Sequence, residues 1–166
     1  MVKSIQGILT EAGRQISGET MTWIGQNPIS IGALQLMLRV IGHPVALTFC
    51  SRGLSQLDCK KVESIIREEE YQGNFNMVNA SVTLPESCYD SSLIVGITSW
   101  KNAIDIKRLA TGSLLVDYSF PHISSLDDAC VEWSRITISY FILGPHCNSQ
   151  IQYGKPFICP KPLRHY

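Results

Sequence analysis

Residues 21–52, MTWIGQNPISIGALQLMLRVIGHPVALTFCSR, run through a short apolar stretch, a glycine-bracketed turn, an amphipathic segment, a second apolar stretch and a closing arginine. That order constrains the fold more than any other feature, because it is the pattern of two buried parallel strands joined by a helical crossover. The first strand is predicted over Met21 to Ile24. Beyond the turn, Ile31, Leu34, Met37, Leu38 and Ile41 recur at the spacing that places them on one helix face. Gly42 ends that helix, and Val45 to Phe49 is apolar enough for a strand covered on both faces.

A turn from Gly25 to Gly32 at this point of a βαβ unit brings backbone N–H groups and a helix N-terminus onto a pyrophosphate, the arrangement that seats a dinucleotide. The two glycines stand seven positions apart, with Pro28 and Ser30 between them, whereas the outer glycines of G-x-G-x-x-G are about five apart. Two glycines alone also suit a plain βα connection, so the reading rests on the strand before the turn and the helix and strand after it. In such units the residue closing the second strand contacts the adenosine ribose, an acid binding the 2′-hydroxyl and an arginine the 2′-phosphate. Cys50-Ser51-Arg52 puts a hydroxyl and a guanidinium there. Bidentate charge-assisted bonds suit phosphate, which favours NADP over NAD. The alternative is that Arg52 is only a solvated residue at a strand end.

With 166 residues, 45% of them hydrophobic and 17% charged, the chain has material for one domain with a sizeable core. Fourteen basic residues balance fourteen acidic ones. No basic stripe with interleaved aromatics is present, so no nucleic acid partner is expected. No apolar run is long enough for a membrane span, and MVKSIQGILTEAGRQ lacks a signal-peptide core; a cytoplasmic location is expected. The six cysteines form no C-x-x-C pair, so reduced thiols are expected. Cys130, His146, Cys147 and Cys159 match no standard ligand spacing, and no metal is expected.

The alternation of strand and helix continues along the chain. Ile5, Ile8, Leu9, Ala12 and Ile16 mark an N-terminal helix over residues 1–16. Leu54 to Tyr71 reads as a longer helix with Leu54, Leu57, Val62, Ile65 and Ile66 inward, followed by a weak strand over Asn76 to Ala80 and a short turn through Pro85 and Cys88. Ser92 to Thr98 and Ser113 to Asp117 are further buried strands, joined by a short helix carrying Ile104, Ile106 and Leu109. Leu126 to Trp133 reads as helical and Ile136 to Leu143 as a strand, and the tail from Gly144 holds four prolines and little periodicity. The expected fold is α/β, a doubly wound, mostly parallel Rossmann-type sheet with helices on both faces, over residues 17–143 with an irregular tail at 144–166. Ligands of such sheets lie off the carboxyl ends of the strands, which directs Thr98, Ser99, Asp117, Tyr118 and Ser119 toward a nicotinamide, with Trp100 nearby.

Two segments, GETMTWIGQNPISIGALQLMLRVIGHPVALTFCSR and SSLIVGITSWKNAIDIKRLATGSLLVDYSFPH, resemble the NADP-binding domain of the shikimate-dehydrogenase-like and methylenetetrahydrofolate-dehydrogenase-like group. They are also similar to the Rossmann portion of long-chain acyl-carrier-protein reductases. The resemblance covers roughly residues 17–122. It implies that Gly25, Ser30, Ile31 and Gly32 hold the diphosphate, that Ser51 and Arg52 hold the 2′-phosphate, and that Thr98 and Ser99 lie on the loop after the fourth strand. Pro28 departs from the pattern, since proline has no N–H to give the phosphates. Enzymes of that group carry their substrate-binding domain before the Rossmann core, where this chain has only about twenty residues. A partner chain, a missing substrate domain or a homo-oligomer neighbour would then complete the site.

Candidate chemistry within the chain is thin. An acyl reductase of this kind forms a thioester on a cysteine thiolate; Cys147, beside His146, is the candidate by neighbourhood, and the alternative is an ordinary loop cysteine. Cys50 reads as a small buried residue. His122, after Phe120-Pro121, stands where a general acid can act or where a loop simply ends. The leading reading is an NADP(H)-binding domain of an oxidoreductase acting on an acyl, aldehyde or carbonyl substrate. Against it stands a non-catalytic Rossmann-like interaction module or truncated remnant. A folate-type enzyme ranks third, because no folate-binding lysine is identifiable.

Overall fold

The computed structural model describes residues 1–125 and 136–140. The elements are α1 (Val2–Glu11), β1 (Thr20–Ile24), α2 (Pro28–Val40), β2 (Ala46–Arg52), α3 (Gln56–Glu68), β3 (Asn74–Ala80), β4 (Leu93–Gly96), β5 (Leu114–Asp117) and β6 (Thr137–Tyr140). The six strands form one sheet in the order β3-β2-β1-β4-β5-β6, and every neighbouring pair is parallel. This is the Rossmann order of two βαβ halves meeting between β1 and β4.

Side chains alternate across the sheet with the strand period of two. Met21, Trp23, Leu47, Phe49, Leu93, Val95, Leu114 and Val116 share one buried cluster with the inner residues of α1, α2 and α3. Cys50, Ile94 and Leu115 enter a second cluster on the other face, with Leu84, Cys88, Tyr89, Ala103, Ile104, Ile106, Leu109 and Ile123. Among the described residues, all three α-helices cover the first face. The second is covered by two 3₁₀ turns, Glu86–Cys88 and Ile106–Arg108, and their flanking loops.

The helices of the first half start on strong local signals. Asn27 caps α2 by accepting the Ser30 amide proton at 2.7 Å, and Pro28 fills the first helical position, where its missing N–H is no loss to the helix. Ser55 and Asp58 form a capping box at the start of α3. Ile31, Leu34, Met37 and Leu38 are buried as their spacing predicts. Burial is worth about 1.5–3 kcal/mol for each such side chain, which anchors α2 far more firmly than its caps do.

Several sequence expectations are corrected. The turn does not extend to Gly32, because α2 begins at Pro28 and Gly32 lies inside it. Leu57, expected inward on α3, is 62% exposed, and the buried residues of that helix are Val62 and Ile65. Ile16 belongs to a separate 3₁₀ turn, Ile16–Gly18, rather than to α1. The helix expected between β4 and β5 is only the 3₁₀ turn Ile106–Arg108, although Ile104, Ile106 and Leu109 are all buried as that reading required. Of the strand expected at 136–143, residues 137–140 are described, as β6; residues 141–143, the helix expected at 126–133 and the tail at 144–166 lie outside the described residues.

Candidate functional site

The two halves of the sheet diverge at the carboxyl ends of β1 and β4, the crevice where open parallel sheets take their ligands. Gly25 stands at its floor with φ +144°, a backbone conformation that side chains disfavour. A Cβ there would lie 2.2 Å from the Ile97 carbonyl oxygen and 2.7 Å from Ser30 Oγ. The chain thus passes against the start of the β4 loop with no room for a side chain. The Gly25 N–H donates to the Cys50 carbonyl at 3.0 Å, and the Ile97 N–H donates to the Ile24 carbonyl at 2.8 Å. Asn27 Nδ2 reaches the same Ile97 carbonyl at 3.3 Å.

Counted from Gly25 at the G-x-G-x-x-G spacing, the second and third positions hold Asn27 and Ser30 rather than glycine. The third glycine of the motif normally permits close packing of helix on strand. Here Ser30, fully buried, accepts the Trp23 indole N–H at 2.9 Å. Its hydroxyl is therefore spent inside the fold and its amide is taken by Asn27. The Ile31 N–H donates to the Asn27 carbonyl at 3.0 Å. Gly32 faces open space, with nothing within 4 Å of a Cβ built on it. Asn27 was the residue missed in the sequence, and Asn-Pro before an apolar helical run is the signal that marks it.

At the end of β2, Arg52 is exposed and makes no ion pair among the described residues. Ser51 is buried, and its hydroxyl donates to Gln26 Oε1 of the turn. The next residues are held by Asn79 Oδ1, which accepts the N–H groups of Gly53 and Leu54 at 2.9 and 3.1 Å. Cys50 is fully buried; its thiol's hydrogen bond to Cys88 and its burial push its pKa far up, so it offers no thiolate.

Across the crevice, Ser99 is exposed and Thr98 half-buried. The Thr98 hydroxyl accepts the Trp100 N–H at 3.2 Å, and its own N–H donates to Ser119 Oγ at 3.0 Å. Asp117, expected toward the ligand, is wholly buried: Oδ1 accepts the Ser119 N–H at 2.8 Å, and Oδ2 accepts the Ile123 N–H at 3.0 Å and faces His122 Nδ1 at 3.1 Å. Tyr118 turns away to pair its hydroxyl with Ser4 of α1. Asp117, Tyr118 and Ser119 thus build the loop rather than line the crevice, which the sequence reading had not separated. Cys147 lies outside the described residues.

Among the described residues no group of three or more metal-ligating side chains converges, and no helix is long and apolar enough to cross a membrane. No family model and no curated protein sequence matches the chain. Among solved structures it is similar to the shikimate 5-dehydrogenase of Listeria monocytogenes in complex with shikimate and NAD, at 12% identity and TM-score 0.46, over 69% of this chain and 43% of that one. It is also similar to the Δ1-pyrroline-2-carboxylate reductase of Thermococcus litoralis in complex with NADH and L-proline, at 10% identity and TM-score 0.48, over 71% of this chain and 36% of that one. The chain spans less than half the length of either structure. Likenesses at this level assign no residue a role, and the sheet order stands without them: the chain folds as a Rossmann-like α/β domain.

Proposed function

We propose that the chain is the nicotinamide-dinucleotide-binding domain of an oxidoreductase, with NADP(H) preferred to NAD(H), acting on an acyl, aldehyde or carbonyl substrate. The observation that carries this reading is Gly25, where a side chain would strike the Ile97 carbonyl at the crevice between β1 and β4. A glycine at that point allows the tight turn with which a dinucleotide-binding βα connection opens. The mouth of α2 beside it is exposed at residues 27–29, and its dipole favours an anion. Arg52, exposed at the end of β2, would hold the 2′-phosphate, with Ser51 and Gln26 fixing the strand end beneath it. Thr98 and Ser99 would border the nicotinamide. The cofactor would supply the hydride; the chain's own residues would seat it and shield it from water. A substrate-binding domain would come from a further segment, a partner chain or a second copy.

The second reading, a nucleotide-free interaction module, is favoured by one observation. Pro28 has no N–H, and Asn27 already satisfies the amides of Ser30 and Ile31, so the mouth of α2 is largely capped by its own chain. Titration with NADPH and NADH, followed by energy transfer from tryptophan to the reduced nicotinamide, separates the two. Saturable NADPH binding that Arg52→Ala weakens about tenfold to a hundredfold supports the proposal. Binding of neither nucleotide contradicts it and leaves the module reading.

A further inference from the structure

Strand β3 closes one side of the sheet: among the described residues it pairs with β2 and has no neighbour on its other side. The Asn74 N–H donates to the Val45 carbonyl at 3.0 Å, so Asn74 turns its backbone groups toward β2. Backbone direction alternates along a strand, and Asn76, Val78 and Ala80 turn the same way. Phe75, Met77 and Asn79 therefore present their N–H and C=O groups outward in an open row. Their side chains are engaged elsewhere: Phe75 and Met77 pack against the helix-covered core, and Asn79 Oδ1 holds the residues that lead into α3.

Sheets that must stay apart blunt such an edge with charge, proline, a bulge or a very short strand. β3, NFNMVNA, has none of these. It is seven residues long, as long as β2, and keeps an unbroken register with β2 from Asn74 to Ala80. On its α3 side a cavity of about 470 Å³ opens by the start of the strand, with Ile66, Tyr71 and Phe75 in its wall and Glu63, Arg67 and Glu70 beside them. That wall is apolar with both signs of charge at its rim, which suits a surface meeting its own copy, because an isologous contact must be complementary to itself.

We infer that β3 is a self-pairing edge, and that two copies of the chain join through it, β3 antiparallel to β3, into one continuous sheet. The direction of the backbone groups defines the register, since outward residues must stand opposite outward residues. With Met77 on the two-fold axis, Met77 faces Met77 of the second copy and Phe75 faces Asn79 of the second copy, each pair exchanging both N–H···O bonds. Asn76 then lies opposite Val78 of the second copy, the two Cβ atoms about 5 Å apart on the sheet face away from α3. No charged residue stands on either strand, so no like charges meet. β1 and β4 lie two and three strands in from the joined edge, and their carboxyl ends point opposite ways in the two copies, which leaves each crevice open. The inference does not depend on the cofactor reading.

The experiment measures self-association of the full chain by sedimentation over a concentration series, with thermal melting beside it. Two double variants separate this register from any other contact. Asn76→Lys with Val78→Lys sets lysine opposite lysine across the junction, whereas Asn76→Asp with Val78→Lys sets aspartate opposite lysine. The expected result is a dimer for the unsubstituted chain, a dissociation constant raised at least about tenfold in the first variant, and return to near the unsubstituted value in the second. A monomer at every concentration overturns the inference, as does a folded first variant that dimerises as tightly as the unsubstituted chain, or a folded second variant that dimerises no better than the first. Should either variant fail to melt cooperatively, a dimer of mixed ¹³C-labelled and unlabelled chains decides the matter. A contact between the Hα atoms of Asn76 and Val78 on different copies is expected, and its absence from the dimer overturns the inference.

Discussion

The two halves of the sheet reach the same parallel architecture by different means. In the first half, β1, β2 and β3 are joined by α2 and α3, each of thirteen residues, capped by side chains and seated by periodic apolar faces. In the second, β4 and β5 have four residues each, the described crossover between them holds only a 3₁₀ turn, and single polar side chains stitch the loops. The first half is held by area and the second by particular hydrogen bonds. Where area holds a fold, one lost contact is spread over many neighbours; where a carboxylate holds a loop, its loss leaves several donors buried and unpaired.

The largest expected effects come from removing the central support of each half. Phe49→Ala, at a fully buried position on β2, should destabilise by about 3–5 kcal/mol, read as a shifted denaturant midpoint. Asp117→Ala should destabilise by about 3 kcal/mol or more and loosen residues 118–123 first, read as faster amide exchange at Ser119 and Ile123 while α2 and α3 stay protected. Equal loss of protection in both halves would show that they do not differ in this way.

Gly25→Ala tests the seam between them. Its φ and the contact with Ile97 should cost roughly 2–3 kcal/mol and remove nucleotide binding, measured by melting and by NADPH titration. Ser55→Ala, which removes only the cap of α3, should cost about 1 kcal/mol. The smallest effect is that of pH on the same cap. The hydrogen bond from Ser55 to Asp58 holds that carboxyl below its usual range, so its contribution is complete above the ordinary aspartate range and is lost as pH falls through the lowered value. Asp58→Asn should remove that part of the acid dependence, as read from denaturant midpoints between pH 3 and 6.

This contrast also explains what could be read from the sequence. Helix α2 announces itself, because Ile31, Leu34, Met37 and Leu38 repeat at the helical period. The buried strands β4 and β5 are legible as short apolar runs. The segment between them was misread as helical because Ile104, Ile106 and Leu109 are buried, yet they are held by loops whose polar anchors, such as the Asp105 cap of the 3₁₀ turn, leave no periodic trace. At the candidate site, Gly25 and Arg52 were visible as residue types at the carboxyl ends of β1 and β2. The inward turn of Ser30 to Trp23, the Ser51 bond to Gln26 and the burial of Asp117 are set by how the turns fold back on the strands, and no periodic pattern encodes them.

The measurement that bears most directly on the account is a ¹H–¹⁵N correlation spectrum of the protein titrated with NADPH. The expected shifts cluster at the carboxyl edge, at residues 25–31, 52–55, 97–100 and 118–123, and leave the opposite edge around Glu19, Val45, Ser92 and Ser113 unmoved. Shifts at that opposite edge, or none at saturating NADPH, would contradict it.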